Sequence, residues 1–150
     1  MDDFEKSLNH VLVDTFNSIL KYEEGSLRNI VSVPVTITEA HIIEAIGTQE
    51  NEEATVSGIA SLLNLSMPTV TVAVKKLESK GFIRKVPCAT DGRRTIISLT
   101  DAGKKIHRAH RLFHLRMIRN ISSQFPEEEK DVLYRALIRL SEFFKVRTKR

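Results

Sequence analysis

The stretch from Thr55 to Leu99 constrains this chain most, because signals for two helices and two strands follow one another there with little room for loops. Thr55 is a good N-cap residue, and apolar residues recur after it at helical spacing as far as Leu63. Ser66 is a second N-cap residue, and Pro68 falls in the first turn of the next helix, where proline is tolerated. The stretch therefore predicts a helix, a tight turn and a second helix.

The second of these helices has two contrasting faces. One face is apolar, and Gly81 is predicted to end the helix in the left-handed conformation. The opposite face carries Pro68, Thr69, Val72, Lys75, Lys76 and Ser79. Hydroxyl groups can reach base edges or phosphates, a valine methyl can meet a thymine methyl, and lysines neutralise phosphates. This face predicts a helix that enters the major groove of DNA, with a merely solvated face as the alternative interpretation.

A predicted β-hairpin follows the second helix directly. Its strands are Phe82–Val86 and Thr95–Leu99, and Asp91-Gly92 between them is a strong turn signal. Arg93 and Arg94 come next, and arginine suits a narrow, electronegative minor groove. The pattern predicts a winged helix-turn-helix. The predicted DNA-binding residues are Ser66, Pro68, Thr69, Thr71, Val72, Lys75, Lys76, Arg93 and Arg94.

These residues resemble the core of the MarR family of transcription regulators. The matching motifs are Thr69-Val70-Thr71, Leu77-Glu78-Ser79-Lys80-Gly81-Phe82-Ile83, Asp91-Gly92-Arg93-Arg94 and Leu99-Thr100-Asp101-Ala102-Gly103. The resemblance implies a regulator in which helices from both termini interlock in a homodimer. The position after Thr71 is often arginine in the family and is Val72 here.

Positive charge is concentrated in the part of the chain that contains these motifs. Residues 1–54 hold 3 Lys and Arg against 11 Asp and Glu, whereas residues 66–119 hold 13 against 3. Such an asymmetry is typical of a protein that approaches a polyanion. An even distribution would have indicated solubility alone.

Length and composition limit the remaining possibilities. A chain of 150 residues fits one domain, or two small lobes that share a core. It has no apolar run long enough to cross a bilayer, no signal-peptide pattern and a single cysteine, so we expect a cytoplasmic protein without a membrane partner. No Gly-rich phosphate loop, nucleophile–base arrangement or paired carboxylates stand out, which predicts a protein that is not an enzyme.

Helical periodicity continues outside the central stretch. The flanking helices are predicted at about Asp3 to Tyr22, Glu39 to Ile46, Asp101 to Ser122 and Glu127 to Val146. Thr38 is the predicted N-cap of the second of these, and residues 25–34 are predicted as a packed loop. We therefore expect a mostly α fold with a small β-hairpin wing. Residues 35–100 would form the DNA-binding lobe, and residues 1–34 and 101–150 the helical dimerisation region.

The terminal helices are too apolar for one small lobe to cover. A partner chain solves this problem, and twofold dimers are the commonest solution. A twofold dimer of such lobes predicts an inverted-repeat operator with half-sites about 34 Å apart. A non-specific, architectural DNA-binding protein is the alternative from another functional class.

Histidines on the basic helix after the wing allow a second kind of site. His107, His110 and His114 share one helix face, and imidazoles with a carboxylate are zinc ligands. The arrangement is similar to zinc-sensing members of the MarR family. The zinc hypothesis uses His41, His107, His110 and a carboxylate from Glu23 or Glu24. Ordinary polar or packed histidines are the alternative.

Two segments, Ile37–Gly47 and Gly103–His114, resemble the FabT-type repressors of fatty-acid biosynthesis within the same family. This resemblance implies a repressor assisted by long-chain acyl groups on acyl carrier protein, with no other cofactor expected. The residues proposed to line an acyl tunnel are Ile19, Leu27, His41, Ile42, Ala45, Ile106 and Phe113. The basic residues proposed to meet the acidic carrier are Lys105, Arg108, Arg111 and Arg116. Ordinary core packing, or another small-molecule effector, is the alternative.

Overall fold

The structure is a computed structural model that describes residues 2–30, 33–87 and 95–147. Its helices are α1 (Asp3–Ile30), α2 (Ile37–Gly47), α3 (Val56–Leu63), α4 (Met67–Ser79), α5 (Asp101–Ser122) and α6 (Glu127–Arg147). Its strands are β1 (Glu53–Ala54), β2 (Ile83–Pro87) and β3 (Thr95–Leu99), and Glu50–Glu52 form a 3-10 turn. The predicted fold class, mostly α with a small β wing, is confirmed.

Local capping sets the boundaries of α3 and α4, as predicted. The hydroxyl of Thr55 accepts from the Gly58 amide at 3.1 Å, and that of Ser66 accepts from the Thr69 amide at 3.2 Å. Asn64 ends α3 with a left-handed φ of 53°. The two helices are bent by 116° relative to each other, which is typical of a helix-turn-helix.

Helices α3 and α4 are also relevant to a possible membrane span. Among the described residues, no single helix is both long enough and apolar enough to cross a membrane. Only α3 and α4 taken together, across their 116° bend, meet that test, and they do so by length and composition alone.

The sheet has three strands in the order β1-β3-β2, and both pairings are antiparallel. Ile83 pairs with Leu99 and Pro87 with Thr95, so the predicted hairpin is confirmed with β2 starting one residue later than expected. The two-residue strand β1 was not predicted; it pairs Glu53 with Ser98. The predicted turn, residues 88–94, lies outside the described residues.

The hydrophobic core sits where α2, α3, α4 and the sheet meet. Helix α2 supplies Ile42, Ile43 and Ile46, each with no exposed surface. Helix α4 supplies the apolar face predicted for it, and Ile97 of β3 closes the core from the sheet side. The core therefore fixes α4 on one face only and leaves its other face outward.

The predicted end of the first helix near Tyr22 was wrong, because α1 continues to Ile30. Two of its later residues, Glu23 and Leu27, are four apart on one face and only 4% and 1% exposed. Gly25, which was interpreted as the start of a loop, has open space around it and does not end the helix. Burial of the Leu27 face therefore outweighs the local preference for a turn.

The predicted N-cap Thr38 was also wrong, because Thr36 caps α2. The Thr36 hydroxyl accepts from the Glu39 amide at 3.2 Å, and the Thr36 amide donates to Glu39 Oε2 at 2.9 Å. This reciprocal pair is a capping box. It brings the carboxylate of Glu39 back over the start of the helix.

The chain divides into two compact units, residues 1–112 and 113–150. In the first unit α1 exposes large apolar side chains, including Phe4 at 72% and Phe16 at 64%. In the second unit Ile118 and Leu137 are 59% and 53% exposed. Each unit thus carries apolar helix faces that this single chain leaves uncovered. The predicted division into a DNA-binding lobe and a dimerisation region stays a prediction.

Candidate nucleic-acid interface

The exposed face of α4 carries the side chains predicted to meet DNA. Val72 is 53% exposed, and Lys75 and Lys76 are exposed one turn further along the helix. Ser66, Pro68 and Thr69 are exposed at its start, whereas Thr71 is half-buried. The predicted residues of the helix thus form one surface, with Thr71 at its edge.

Several hydroxyl groups of α4 have hydrogen-bond partners within the helix. The Ser66 and Thr69 hydroxyls lie 2.7 Å apart, and the Thr71 hydroxyl donates to the Met67 carbonyl at 2.8 Å. Val72 is the most exposed large apolar side chain of α4.

The end of α4 is tied to the start of α2 by Lys80. This residue, the C-cap of α4, forms an ion pair with the buried carboxylate of Glu39 and also donates to the Pro34 carbonyl. This link could not be predicted from the sequence. A glutamate at the third position of a capping box is a recognisable signal, but its lysine partner lies 41 residues away.

The wing is anchored at its base by polar contacts. Lys85 of β2 pairs with Glu78 of α4 at 2.7 Å, and Arg84 donates to the Ser98 hydroxyl of β3 at 3.1 Å. These contacts fix β2 against both the recognition helix and its neighbouring strand. The predicted wing residues Arg93 and Arg94 lie outside the described residues, and their DNA contact stays a prediction.

The Leu-Thr-x-x-Gly motif joins the wing to α5. The Thr100 hydroxyl donates to the Gly81 carbonyl at 2.6 Å and accepts from the Gly103 amide at 3.2 Å. A Cβ atom on Gly103 would lie 2.0 Å from the Phe82 carbonyl oxygen. Glycine is therefore required where α5 starts against the backbone that follows α4.

A cluster of histidines and carboxylates joins α1, α2 and α5. Glu23 Oε1 accepts from His41 Nε2 at 2.9 Å and from His110 Nε2 at 2.8 Å. His110 Nδ1 lies 3.2 Å from Glu44 Oε2. Burial favours a raised pKa for Glu23, but the hydrogen bond from His110 and the charge of His41 outweigh it and hold the pKa below 4.5.

Three residues of the zinc hypothesis lie together in this cluster, and zinc binding by them stays a prediction. One ligand atom each from Glu23, His41 and His110 lie within 4.8 Å of one another. Two imidazoles and a carboxylate are ordinary zinc ligands, and a carboxylate such as Glu44 beside the other ring nitrogen is a usual support for a metal-binding histidine.

Two of the residues named in the zinc hypothesis are placed elsewhere. His107 is buried against Gly47, where an added Cβ would lie 2.7 Å from the imidazole ring, and burial lowers its pKa below 6.5. Glu24 forms an ion pair with Arg28 at 2.8 Å. Among the residues that the structure describes, neither joins the group of Glu23, His41 and His110 that could hold a metal ion.

Most residues proposed for an acyl tunnel belong to the core. Leu27, Ile42, Ala45 and Ile106 are between 0% and 3% exposed, whereas Ile19 is 42% exposed. His41 belongs to the histidine cluster, and Phe113 lies in the second unit. A cleft of about 600 Å³ in the first unit includes Ala45 in its wall, together with polar residues of the 3-10 turn and β1. An acyl chain would have to displace core side chains.

The residues proposed for a carrier-protein surface are exposed. Lys105, Arg108 and Arg111 lie on α5 in the first unit, and Arg116 lies in the second. Lys104 beside them pairs instead with Glu52 at 2.5 Å, and this contact lowers the pKa of that carboxylate. The exposed basic side chains remain accessible to an acidic partner.

These features define a winged helix-turn-helix protein that binds double-stranded DNA. The inner face of α4 packs on the core, its outer face exposes lysines and apolar groups, and the β2–β3 pair follows it. Residues 35–95 match the sequence profile of the MarR family. The chain belongs to the MarR family of transcriptional regulators.

Individual relatives agree with this assignment. The structure of Streptococcus pneumoniae FabT in complex with DNA is similar with a TM-score of 0.88 and 33% identity, covering 94% of this chain and 97% of that one. The transcriptional regulator ZitR of Lactococcus lactis is 31% identical over 76% of this chain and 79% of its own length. The HTH-type transcriptional regulator YhjH of Bacillus subtilis is 30% identical over 77% of this chain and 62% of its own length, which is less than two thirds. These two curated relatives are named as regulators of transcription.

Proposed function

We propose that this chain is a homodimeric repressor that binds an inverted-repeat operator and controls fatty-acid biosynthesis genes, with long-chain acyl-acyl carrier protein as corepressor. The observation that carries this proposal is the 33% identity to DNA-bound FabT across 94% of the chain. In this function α4 enters the major groove, and the arginines of the wing reach the adjacent minor groove.

Exposed apolar surface supports the homodimer. Phe4 and Phe16 of α1 are 72% and 64% exposed, and Ile118 and Leu137 in the second unit are each more than half exposed. Contiguous exposed apolar side chains mark interaction surfaces. A second copy of the chain would cover them and place two recognition helices on one face of DNA.

The exposed basic residues of α5 support the choice of carrier protein. Acyl carrier protein is acidic, and Lys105, Arg108 and Arg111 offer complementary charge. An acyl chain that enters beside Leu27 and Ile42 must repack the core, because both side chains are buried. A ligand with different affinity for two packings of the chain shifts the equilibrium between them, and this is how it would change DNA binding.

The test is operator affinity with and without acyl carrier protein that bears chains of increasing length. We expect long chains to tighten binding roughly five- to a hundredfold. Reversing one charge at a time, in the separate variants Lys105→Glu and Arg108→Glu, should weaken this response and leave operator affinity without ligand largely unchanged. Arg135→Glu on α6 is the charge-matched control. An operator affinity that no chain length changes would contradict the corepressor assignment.

The Glu23 cluster supports a second candidate, a zinc-responsive regulator of the same family. Glu23, His41 and His110 would hold the ion, and zinc would join α1, α2 and α5 through them. We expect zinc to bind the parent protein and Glu24→Gln but not Glu23→Gln. Zinc should likewise change the operator affinity of the first two proteins and leave that of Glu23→Gln unchanged. Equal operator affinity in zinc and in chelator would remove this candidate.

A further inference from the structure

We propose that Val72 is a specificity-determining residue that reads the C5-methyl group of a thymine in each half-site of the operator. The proposal rests on the proposed sequence-specific binding of α4 to DNA and does not depend on the effector. It assigns to one side chain a preference for one chemical group on the DNA.

Val72 is an exposed apolar residue on the recognition helix. It is 53% exposed at the centre of α4, between Val70 and Ala73 on the buried face. A β-branched residue that stays half exposed gains only part of the free energy of burial, and it is a weaker helix former than alanine. Its stiff side chain does present two methyl groups in one fixed direction. A contact outside this chain gives that arrangement a use.

Hydroxyl groups near Val72 already have hydrogen-bond partners within α4 or at its N-cap. The Thr71 hydroxyl donates to the Met67 carbonyl at 2.8 Å, and the Ser66 and Thr69 hydroxyls lie 2.7 Å apart. Lys75 and Lys76 lie three and four positions beyond Val72, where they suit phosphates that fix the register of the helix. Val72 is therefore the part of α4 best placed to meet a base edge without a hydrogen bond.

Only one group in the major groove matches such a side chain. Adenine, guanine and cytosine present donors and acceptors there, and an apolar side chain would remove water from them without replacing the hydrogen bonds. Thymine presents a methyl group, which gains from contact with valine. Val72 thus favours thymine and disfavours the other bases at one position of each half-site.

The test starts with the best duplex selected by the parent protein from a random library. Each thymine is then replaced by deoxyuridine, which removes only the methyl group. We expect one position in each half-site at which this replacement weakens binding roughly fourfold, and roughly fifteenfold when both half-sites are changed. Replacing the same thymine by cytosine should weaken binding, and 5-methylcytosine should restore part of it.

The variant Val72→Ala links this position to the side chain. Alanine preserves the helix, so we expect a folded protein that binds the thymine and deoxyuridine duplexes equally well. Lys76→Ala is the matched control, since it should weaken binding to all duplexes while its deoxyuridine profile stays that of the parent. A parent protein indifferent to deoxyuridine at every position would overturn the proposal, and so would an unchanged profile in Val72→Ala. Failure to enrich any duplex would overturn the proposed sequence-specific function as well.

Discussion

Lys80 Nζ lies 2.9 Å and 2.7 Å from the two carboxylate oxygens of Glu39 and donates to the Pro34 carbonyl at 2.8 Å. Glu39 is 3% exposed in this pair and also closes the capping box with Thr36. One carboxylate therefore fixes both the first turn of α2 and the last turn of the recognition helix. The ion pair holds α4 in place at the end opposite to its N-cap.

Removing the charge of Lys80 should destabilise the protein. In Lys80→Met the buried carboxylate loses its cation, and we expect the free energy of unfolding to fall by about 3 kcal/mol. Lys76→Met, an exposed position of the same helix, should change it by less than about 0.5 kcal/mol. The double variant Lys80→Met with Glu39→Gln should recover part of the loss, because no unpaired charge remains. Denaturant unfolding measures all three, and equal stability of Lys80→Met and the parent would refute the role of this pair.

The wing arginines should contribute to the affinity for DNA and not to the formation of the dimer. Arg94 lies outside the described residues, and its role follows from the hairpin pattern and the basic charge. We expect Arg94→Ala to weaken operator binding at least about tenfold at moderate salt. In sedimentation experiments, Arg94→Ala should have the same oligomeric state as the parent protein. Undiminished binding of this variant would mean that the wing does not contact DNA.

Two glycines in helices should respond oppositely to the same substitution. Both gain helix propensity when changed to alanine, so the difference between them reports the contact of the added Cβ. Gly25→Ala places it in open space and should stabilise the protein by about 0.5–1 kcal/mol. Gly103→Ala places it against the Phe82 carbonyl and should destabilise by about 3 kcal/mol or more. Thermal unfolding measures both, and a tolerated Gly103→Ala would show that the start of α5 is not packed as described.

Burial of His107 should make stability depend on pH. Burial lowers its pKa, helped by Arg111 and His110 and opposed by Glu44 and Glu52. The unfolded chain therefore binds the proton more tightly, and stability present above pH 6.5 is lost as the pH falls below that value. We expect the parent to lose stability as the pH falls below about 6.5.

Substitution isolates this effect. His107→Gln should show a flatter dependence over the same pH range, whereas His10→Gln, an exposed position on α1, should follow the parent. Urea unfolding at a series of pH values gives the comparison. An equal slope in His107→Gln and the parent would assign the dependence to other groups.

The helix-turn-helix could be predicted from the sequence because its helix ends depend on contacts between neighbouring residues. Thr55, Ser66 and Gly81 act on their immediate neighbours, so their positions in the sequence largely fix the ends of α3 and α4. The outward face of α4 followed from helical spacing for the same reason. The contacts of these residues with DNA remain predictions.

The structural features that could not be predicted from the sequence depend on contacts between distant parts of the chain. Strand β1 has two residues and exists through its pairing with β3, more than 40 residues later. The left-handed φ of 55° at Glu52 just before it is not expected from the residue type. The Glu23 cluster combines α1, α2 and α5, and helical spacing could not show that His110 points to Glu23 while His107 packs on Gly47.

Competition between DNA sequences distinguishes a sequence-specific regulator from a non-specific DNA-binding protein. The parent protein bound to its selected inverted repeat is challenged with unlabelled random duplex and, separately, with the same inverted repeat. A sequence-specific regulator should prefer the inverted repeat by roughly a thousandfold or more at physiological salt. Equal competition by the two duplexes would contradict this account and indicate a non-specific, architectural DNA-binding protein.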